Sequence, residues 1–126
     1  MKIGIKNNRD TIIRFIHIIR GKIPLHSLDV AYEIEPNIGY IKLNRFSSTT
    51  FQEFKKELEI LVKEDSINNL ILDLRGNTGG YLDQAINILN EFFDDGELLV
   101  YTEGKSRKKE NYFSNKTGIF KTGGLY

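Results

Sequence analysis

A short apolar run that ends in a glycine-rich turn most constrains how this 126-residue chain can fold. This run has apolar residues on both faces, as the buried strands of parallel sheets do: Leu70, Ile71, Leu72 and Leu74. The turn is R-G-N-T-G-G at 75–80, and apolar residues then recur at helical spacing over 82–93. A strand, a glycine turn and a helix in this order predict a β-α unit of a parallel sheet.

The preceding segment has the same organisation. Residues 39–43 are typical of a strand, and Thr50 with Glu53 indicates a capping box at the start of a helix. The apolar face of that helix contains Phe51, Phe54, Leu58, Leu61 and Val62. After the second helix, which we expect to end with Gly96 as its C′ residue, residues 97–102 indicate a third core strand. The sum is an α/β fold with β-α-β-α-β order and a largely parallel sheet.

Strands are also expected on either side of this core. Residues 2–5 and 11–19 are rich in isoleucine, and 28–35 alternates apolar and polar residues as a half-buried strand does. The turn at 36–39 predicts that this strand pairs antiparallel with 39–43. Residues 104–111 are polar and basic, which predicts a loop or an exposed hairpin arm, and a further strand is expected to begin at Leu125-Tyr126.

Composition excludes several classes of function. Eighteen basic and seventeen acidic residues give a net charge of +1, which argues against nucleic acid as the main partner. The absence of cysteine excludes disulfides, thiolate metal sites and cysteine nucleophiles. No apolar run approaches the roughly 18–20 residues of a membrane span. No cofactor motif and no metal-ligand spacing is present, so we expect neither.

The glycine turn is the strongest candidate for chemistry. A loop between a parallel strand and a helix N-terminus presents unpaired backbone N–H groups, and ligands bind at this edge of open α/β sheets. Gly79 and Gly80 can adopt positive φ and let another group approach the backbone. The sequence lacks the Gly-Lys-Ser/Thr of a phosphate loop. An oxyanion site and a purely structural turn therefore both remain open at this point.

Other candidate residues fit structural roles better. Asp73 and Arg75 share a strand face, so an ion pair that shapes the turn is favoured over a general base or a metal ligand. The two histidines, His17 and His26, lie near no nucleophile motif. No serine occupies a G-x-S-x-G setting; the serines considered are Ser47, Ser48, Ser66, Ser106 and Ser114. The residues alone supply no nucleophile.

Four segments, in order, resemble the C-terminal processing peptidases, also called tail-specific proteases. The most specific is L-I-L-D-L-R-G-N-T-G-G-Y-L-D-Q-A at 70–85. R-G-K-I-P at 20–24 resembles the exit from that family's PDZ domain. Residues 39–50 and 97–105 resemble the strands on either side of the motif. The resemblance implies residues 1–24 as a PDZ remnant and 25–126 as the front part of a peptidase core of Clp-protease and crotonase type.

The same resemblance implies a serine endopeptidase with a Ser-Lys dyad that cuts proteins near their C-termini. The oxyanion-hole amide would be that of Gly79, with Gly80 as the alternative, while Asp73, Arg75 and Gly76 would form the scaffold of the loop. Thr78 departs from the glycine or proline that the family often has there. No serine or lysine here matches the dyad, so both are expected beyond Tyr126 and the chain alone is expected to be inactive. Family habit implies a bacterial cell envelope.

Two alternatives come from other classes. One is a non-catalytic module that binds extended peptides by strand addition. The other is an acyl-CoA enzyme of crotonase type, which the upstream hairpin and residues 20–24 disfavour. In either reading, unpaired strand edges and apolar patches favour self-association, so we expect a dimer or a larger assembly.

Overall fold

The structure is a computed structural model that describes residues 2–5, 13–17, 19 and 26–126. Its elements are β1 (Lys2–Ile5), β2 (Arg14–His17), β3 (Leu28–Glu35), β4 (Ile38–Leu43), α1 (Thr50–Lys63), β5 (Asn69–Asp73), α2 (Leu82–Leu89), β6 (Leu98–Gly104), β7 (Arg107–Phe113) and β8 (Gly124–Leu125). The motif at 20–24, expected to mark the exit from a PDZ domain, lies outside the described residues.

The central sheet has four strands in the order β3-β4-β5-β8. Strands β3 and β4 pair antiparallel, with Asn37 at a φ of 67° in the turn between them. Strand β4 pairs parallel with β5, and β5 pairs parallel with β8. The predicted α/β class and its parallel pairing are thus confirmed, as is the strand expected to begin at the end of the sequence. Strands β1 and β2 form a separate antiparallel pair.

The core lies between the sheet and α1. Its buried apolar residues are Ile41, Leu43, Phe54, Leu58, Leu61, Ile67, Leu70, Ile88 and Phe120. The apolar face predicted for the first helix is confirmed by Phe54, Leu58 and Leu61, while Phe51 and Val62 are half-buried at its margin. Gly39 allows α1 and the segment after it to approach β4 closely, because an added Cβ would lie 3.2 Å from Leu61 Cδ1 and 2.6 Å from Ile67 Cδ1.

The predicted third core strand is wrong. Residues 98–104 do not join the central sheet: β6 turns at 105–106 and pairs antiparallel with β7 in a two-stranded hairpin. The place beside β5 is taken by β8, more than twenty residues further along the chain. An apolar strand can pair with either neighbour, and here a tight turn offers β6 an adjacent partner. The exposed hairpin arm predicted for 104–111 is confirmed.

Two predicted helix ends are also wrong. Thr49, not Thr50, is the N-cap of α1, and Glu53 does not form the predicted capping box. Its Oε2 instead accepts hydrogen bonds from the backbone N–H groups of Ser27 and Leu28, at 2.9 and 3.1 Å. Helix α2 ends at Leu89 with Asn90 as its C-cap, so Gly96 is not its C′ residue. The N–H of Gly96 donates to the carbonyl of Ser114, at the base of the hairpin.

Buried polar groups join the segment after the hairpin to the end of α2. Asn90 Oδ1 accepts a hydrogen bond from Asn115 N–H at 3.0 Å, and the Lys116 ammonium pairs with Glu91 Oε1. Glu91 is fully buried, and among the described residues its Oε2 has no hydrogen-bond partner. These contacts fix residues 114–120, which lead into β8 and so determine where that strand enters the sheet.

Candidate functional site

The glycine loop, residues 74–81, leaves the carboxyl end of β5 and leads into α2. It lies along the segment that follows β4. Thr78 N–H donates to the carbonyl of Asn44 at 3.1 Å, and Phe46 N–H donates to the carbonyl of Gly79 at 2.9 Å. Tyr81 N–H returns a bond to the carbonyl of Phe46 at 2.9 Å. The loop is therefore held like a short extra strand at the carboxyl edge of the sheet.

The first part of the loop is a tight turn. Asn77 N–H donates to the carbonyl of Leu74 at 3.0 Å, which closes a four-residue β-turn. Gly76 is the third residue of this turn and has a φ of 76°. Positive φ at that position is the signature of a type II turn and explains the glycine. The turn directs the rest of the loop back toward β4.

Asn77 connects the loop to β4 through its side chain. Its Nδ2 donates to the carbonyl of Leu43 at 3.0 Å, and its Oδ1 accepts from the N–H of Gly79 at 2.7 Å. Sequence reasoning missed this residue. An asparagine inside a glycine turn is a signal for such side-chain-to-backbone bonds, although the partner on β4 has no local signature.

The two glycines singled out in the sequence differ in what they can donate. Gly79 has a φ of 78°, and Asn77 occupies its N–H. Gly80 has a φ of 148°, and an added Cβ would lie 2.0 Å from the carbonyl oxygen of Phe46. In the described part of the chain, the exposed Gly80 has no acceptor for its N–H. The one unengaged amide of the pair is therefore that of Gly80.

Asp73 is buried at the end of β5, immediately before the loop. Its carboxylate accepts bonds from Arg75 N–H at 2.8 Å, from the Arg75 guanidinium at 2.7 Å, and from the Tyr40 hydroxyl at 2.5 Å. The pKa of Asp73 lies well below its ordinary range. The largest cause is the Arg75 guanidinium, and the second is the hydrogen bond from the Tyr40 hydroxyl. The hydrogen bond to Asp73 raises the pKa of Tyr40 and of Arg75. A carboxylate held this firmly in its charged form is a weak base.

Tyr40 is the second residue that sequence reasoning missed. It lies opposite Ile71 in the parallel pair of β4 and β5, so its ring reaches diagonally toward Asp73 two residues further along. The Tyr40 ring also packs against Tyr32, with a centroid distance of 5.5 Å. A tyrosine in the neighbouring strand, on the face of Asp73, becomes a signal only once the register is known.

With this geometry established, comparison with known proteins defines the family. The sequence profile described as Peptidase family S41 matches residues 37–125. The chain belongs to this family. That range contains β4 to β8 and the whole glycine loop.

Several named relatives are similar to this S41 chain. A probable CtpA-like serine protease of Staphylococcus epidermidis is 38% identical over 92 residues, which cover 73% of this chain and 18% of the relative. The carboxy-terminal-processing protease of Bartonella bacilliformis is 35% identical over 106 residues, covering 82% and 24%. The carboxy-terminal processing protease CtpA of Bacillus subtilis is 37% identical over 95 residues, covering 75% and 20%. The chain thus spans less than a quarter of the length of each of these three relatives.

A solved structure shows the same fold. The photosystem II D1 C-terminal processing protease matches 90% of this chain and 32% of its own, with a TM-score of 0.65. Sequence identity is 21%, so the likeness concerns the fold alone.

The S41 chain brings none of its histidines or serines into a hydrogen-bonded Ser-His or Ser-Lys pair within the described residues. His17 ends β2 and His26 precedes β3, and both are exposed. Ser47 Oγ lies 2.5 Å from Ser27 Oγ, and the buried Ser114 hydroxyl donates to the carbonyl of Asp94. These hydroxyls stabilise the segment before α1 and the base of the hairpin.

Glu53 is a further acidic group held by specific contacts. Burial raises its pKa, but hydrogen bonds from the Thr49 hydroxyl and from the backbone of Ser27 and Leu28 outweigh burial, and the net pKa is lowered. This carboxylate therefore fastens the start of β3 to α1. Its position is at the helix, not at the glycine loop.

The rest of the described chain contains no second candidate site. No group of His, Asp or Glu side chains there has the arrangement of a metal site. A cavity of about 240 Å³, lined in part by Ile67, Asn68 and Phe120, lies at the amino-terminal end of β5, opposite the glycine loop. No helix of the described residues is long and apolar enough to cross a membrane.

Proposed function

We propose that this chain supplies the oxyanion side of a Ser-Lys peptidase site, with the backbone N–H of Gly80 as the donor. The observation that carries the proposal is the difference between the two glycines: Asn77 occupies the amide of Gly79, while the amide of Gly80 has no acceptor among the residues that the structure describes. Hydrogen-bond donors fixed before the reaction stabilise the negative charge that develops on the scissile carbonyl oxygen. The sequence favoured Gly79, and the geometry favours the alternative.

The residues around the loop would act as its scaffold. The ion pair of Asp73 and Arg75 stabilises the start of the loop, and Gly76 allows the chain to reverse direction there. Asn77 joins the loop to β4. In this role none of them touches the substrate. Their function is to keep the amide of residue 80 in place before the substrate arrives, so that little reorganisation is needed during the reaction.

The complete peptidase would combine residues 25–126 with a serine and a lysine from outside these 126 residues, and residues 1–24 would belong to a PDZ domain. The substrate would be a protein or peptide that is cut near its C-terminus. A bacterial cell envelope is the proposed location, which the bacterial relatives support. No cofactor and no metal is proposed.

The chain alone should be inactive. A fluorogenic peptide assay on the purified 126-residue chain should stay at background, because the proposed dyad is absent from it. Turnover that survives repurification would contradict this part of the proposal. It would instead direct attention to the serines within the chain.

The role of Gly80 can be tested by removing one N–H in a peptidase that contains this segment and the dyad. Replacing the peptide bond before Gly80 with an ester by semisynthesis removes the donor and keeps the shape. We expect kcat to fall by about 10²–10³ with little change in KM, as for the loss of an oxyanion donor.

An ester before Gly79 is the matched control. It removes an N–H that already has an acceptor in Asn77, so its effect on kcat should be much smaller. A larger loss at residue 79 than at residue 80 would return the oxyanion role to Gly79. Equal and small losses at both positions would overturn the proposed role of the loop.

A further inference from the structure

The hairpin arm, residues 98–113, extends from the fold with little of its own surface covered. Every residue from 101 to 111 is exposed, and within the described ranges β6 and β7 pair only with each other. Tyr101 and Phe113 each expose 53% of their surface. An isolated two-stranded hairpin is marginally stable in water. The arm therefore presents apolar side chains and strand edges that a further contact would stabilise.

A second uncovered edge lies on β3, the outer strand of the central sheet. Among residues 26–126, only β4 pairs with it. Val30, Tyr32 and Ile34 are exposed along this strand. A strand with one free edge and exposed apolar side chains is a template for the addition of another strand.

The two surfaces have opposite charge. Strand β3 carries Asp29, Glu33 and Glu35 and no basic residue. The turn of the arm and the start of β7 carry four basic residues and no acidic one over 104–109: Lys105, Arg107, Lys108 and Lys109. Asp29 already pairs with Lys42 at 3.7 Å, and Glu33 Oε1 accepts a hydrogen bond from Asn37 N–H at 2.9 Å. Within the described residues, Glu33 and Glu35 are the carboxylates of β3 that have no basic side chain as a partner.

We infer that the occupant of the β3 edge is the hairpin arm of a second copy of this chain. Surfaces of opposite charge attract one another, and the apolar side chains on both sides lose exposed area when they meet. Both partner surfaces are present in every copy. The inference deepens the expectation of self-association by naming the two surfaces, and it does not depend on the peptidase assignment.

The charge pattern also sets the direction of pairing. The basic residues lie in the turn and at the start of β7, and Glu33 and Glu35 lie at the end of β3. Antiparallel addition of β7 to β3 brings Arg107 and Lys109 to Glu35 and Glu33, and carries Tyr112 toward Val30. Parallel addition would place the basic end of β7 beside Leu28 instead.

The contact is expected to be short. Register shifts at Leu28/Val30 and Glu33/Glu35 leave Val30–Glu33 as the regularly paired part of β3. Bulges of this kind limit how far an edge can be extended, and so they favour a reversible pair over continued growth. Exchange of arms in both directions closes a dimer with two such contacts.

Sedimentation velocity on the 126-residue chain with charge-reversed variants tests the inference. The arm variant is Arg107→Glu with Lys109→Glu, and the edge variant is Glu33→Lys with Glu35→Lys. Wild type should self-associate, and each variant alone should associate about tenfold more weakly, since two exposed ion pairs become repulsive. An equimolar mixture of the two variants should recover association near the wild-type level.

The matched control reverses two exposed lysines of α1, Lys56→Glu with Lys63→Glu. It changes net charge by the same amount as the arm variant and should leave association unchanged. Circular dichroism checks that every variant is folded. Raising NaCl from about 0.05 to about 0.5 M should weaken wild-type association, because salt screens exposed charges.

Three results would overturn the inference. A wild-type chain that stays monomeric over a wide concentration range excludes the contact. Association that is as strong in both variants as in the wild type assigns the interface to other surfaces. A mixture that fails to recover association, although each variant is folded, shows that the two reversals did not act on the same contact.

Discussion

The glycine loop follows a predicted strand and the hairpin arm contains one, and they differ in how their backbones are stabilised. The loop is irregular, yet four hydrogen bonds hold it to β4 and the segment after it: those of Asn77 Nδ2, Thr78 N–H, Gly79 O and Tyr81 N–H. A fifth bond, from Gly79 N–H to Asn77 Oδ1, is internal to the loop. The arm is regular, yet most of its side chains face solvent. Regular structure and tertiary stabilisation are therefore separate properties in this chain.

The difference matters for function because a catalytic amide must be fixed in position, whereas a contact surface can be adaptable. Exposed segments with few buried contacts open locally at low free energy. A loop fixed on both sides opens only when its supporting strand does. The candidate oxyanion loop belongs to the second class and the arm to the first.

The largest expected effect is on stability, when a single methyl group is added to a glycine in each of the two regions. We expect Gly80→Ala to lower the free energy of unfolding by about 3 kcal/mol, because its Cβ would collide with a backbone atom and its φ of 148° is one that L-residues rarely adopt. Gly104→Ala in the arm meets only Arg107 Cβ at 3.9 Å and should change stability by about 0.5 kcal/mol or less.

Urea unfolding followed by circular dichroism measures both variants. Comparable losses at the two glycines would show that the loop is no more constrained than the arm. In that case the loop would yield to the methyl group, and the close contact between Gly80 and Phe46 would carry little energy.

A smaller effect is expected from the side chain that fastens the loop. Asn77→Ala removes two hydrogen bonds that join the loop to β4 and to Gly79, and should cost about 1–2 kcal/mol. Hydrogen exchange followed by NMR gives a sharper readout. The Gly79 amide should exchange slowly in the wild type and fast in the variant, while the Gly80 amide should exchange fast in both.

Asn111→Ala in β7 is the control in the arm. Asn111 is exposed, so the substitution should change stability little and leave exchange at both glycines unaltered. Slow exchange of the Gly80 amide in the wild type would indicate an acceptor for that N–H and would contradict its assignment as the open donor.

Local patterns in the sequence were sufficient to predict much of this fold, and the predictions that failed have a common physical cause. Helix α1 and strand β5 follow from apolar periodicity, which is encoded within a dozen residues. The partner of residues 98–104 is not encoded locally, because the same apolar strand fits a parallel sheet or a hairpin. Its actual partner depends on the turn at 105–106 and on β8 occupying the place beside β5.

The candidate site also has features that the local sequence predicts and features that it does not. Gly79 and Gly80 stand out because glycine marks unusual backbone geometry wherever it occurs in a turn. The distinction between them depends on Asn77, and the state of Asp73 depends on Tyr40, which is 33 residues away in the sequence. The register of β4 against β5 brings Tyr40 to Asp73, and no local pattern predicts it.

The smallest expected effect is the pH dependence of the stability that Asp73 contributes. The pKa of Asp73 is lower in the folded state than in the unfolded chain, so the unfolded chain takes up the proton first as the pH falls. The stability that Asp73 contributes is therefore fully present above about pH 5 and is lost progressively as the pH falls below about pH 4. Asp73→Asn removes the charge at every pH, so the free-energy difference from wild type should be largest near neutral pH and should shrink in acid.

Asp95→Asn, an exposed change at the base of the hairpin arm, is the matched control and should show little difference at any pH. Urea midpoints measured at several values between about pH 3 and pH 7 give the comparison. A difference for Asp73→Asn that stays constant with pH would mean that the carboxylate titrates alike in both states. The contacts from Arg75 and Tyr40 would then hold the loop by shape alone, and the loop would resemble the arm in owing nothing to a buried charge.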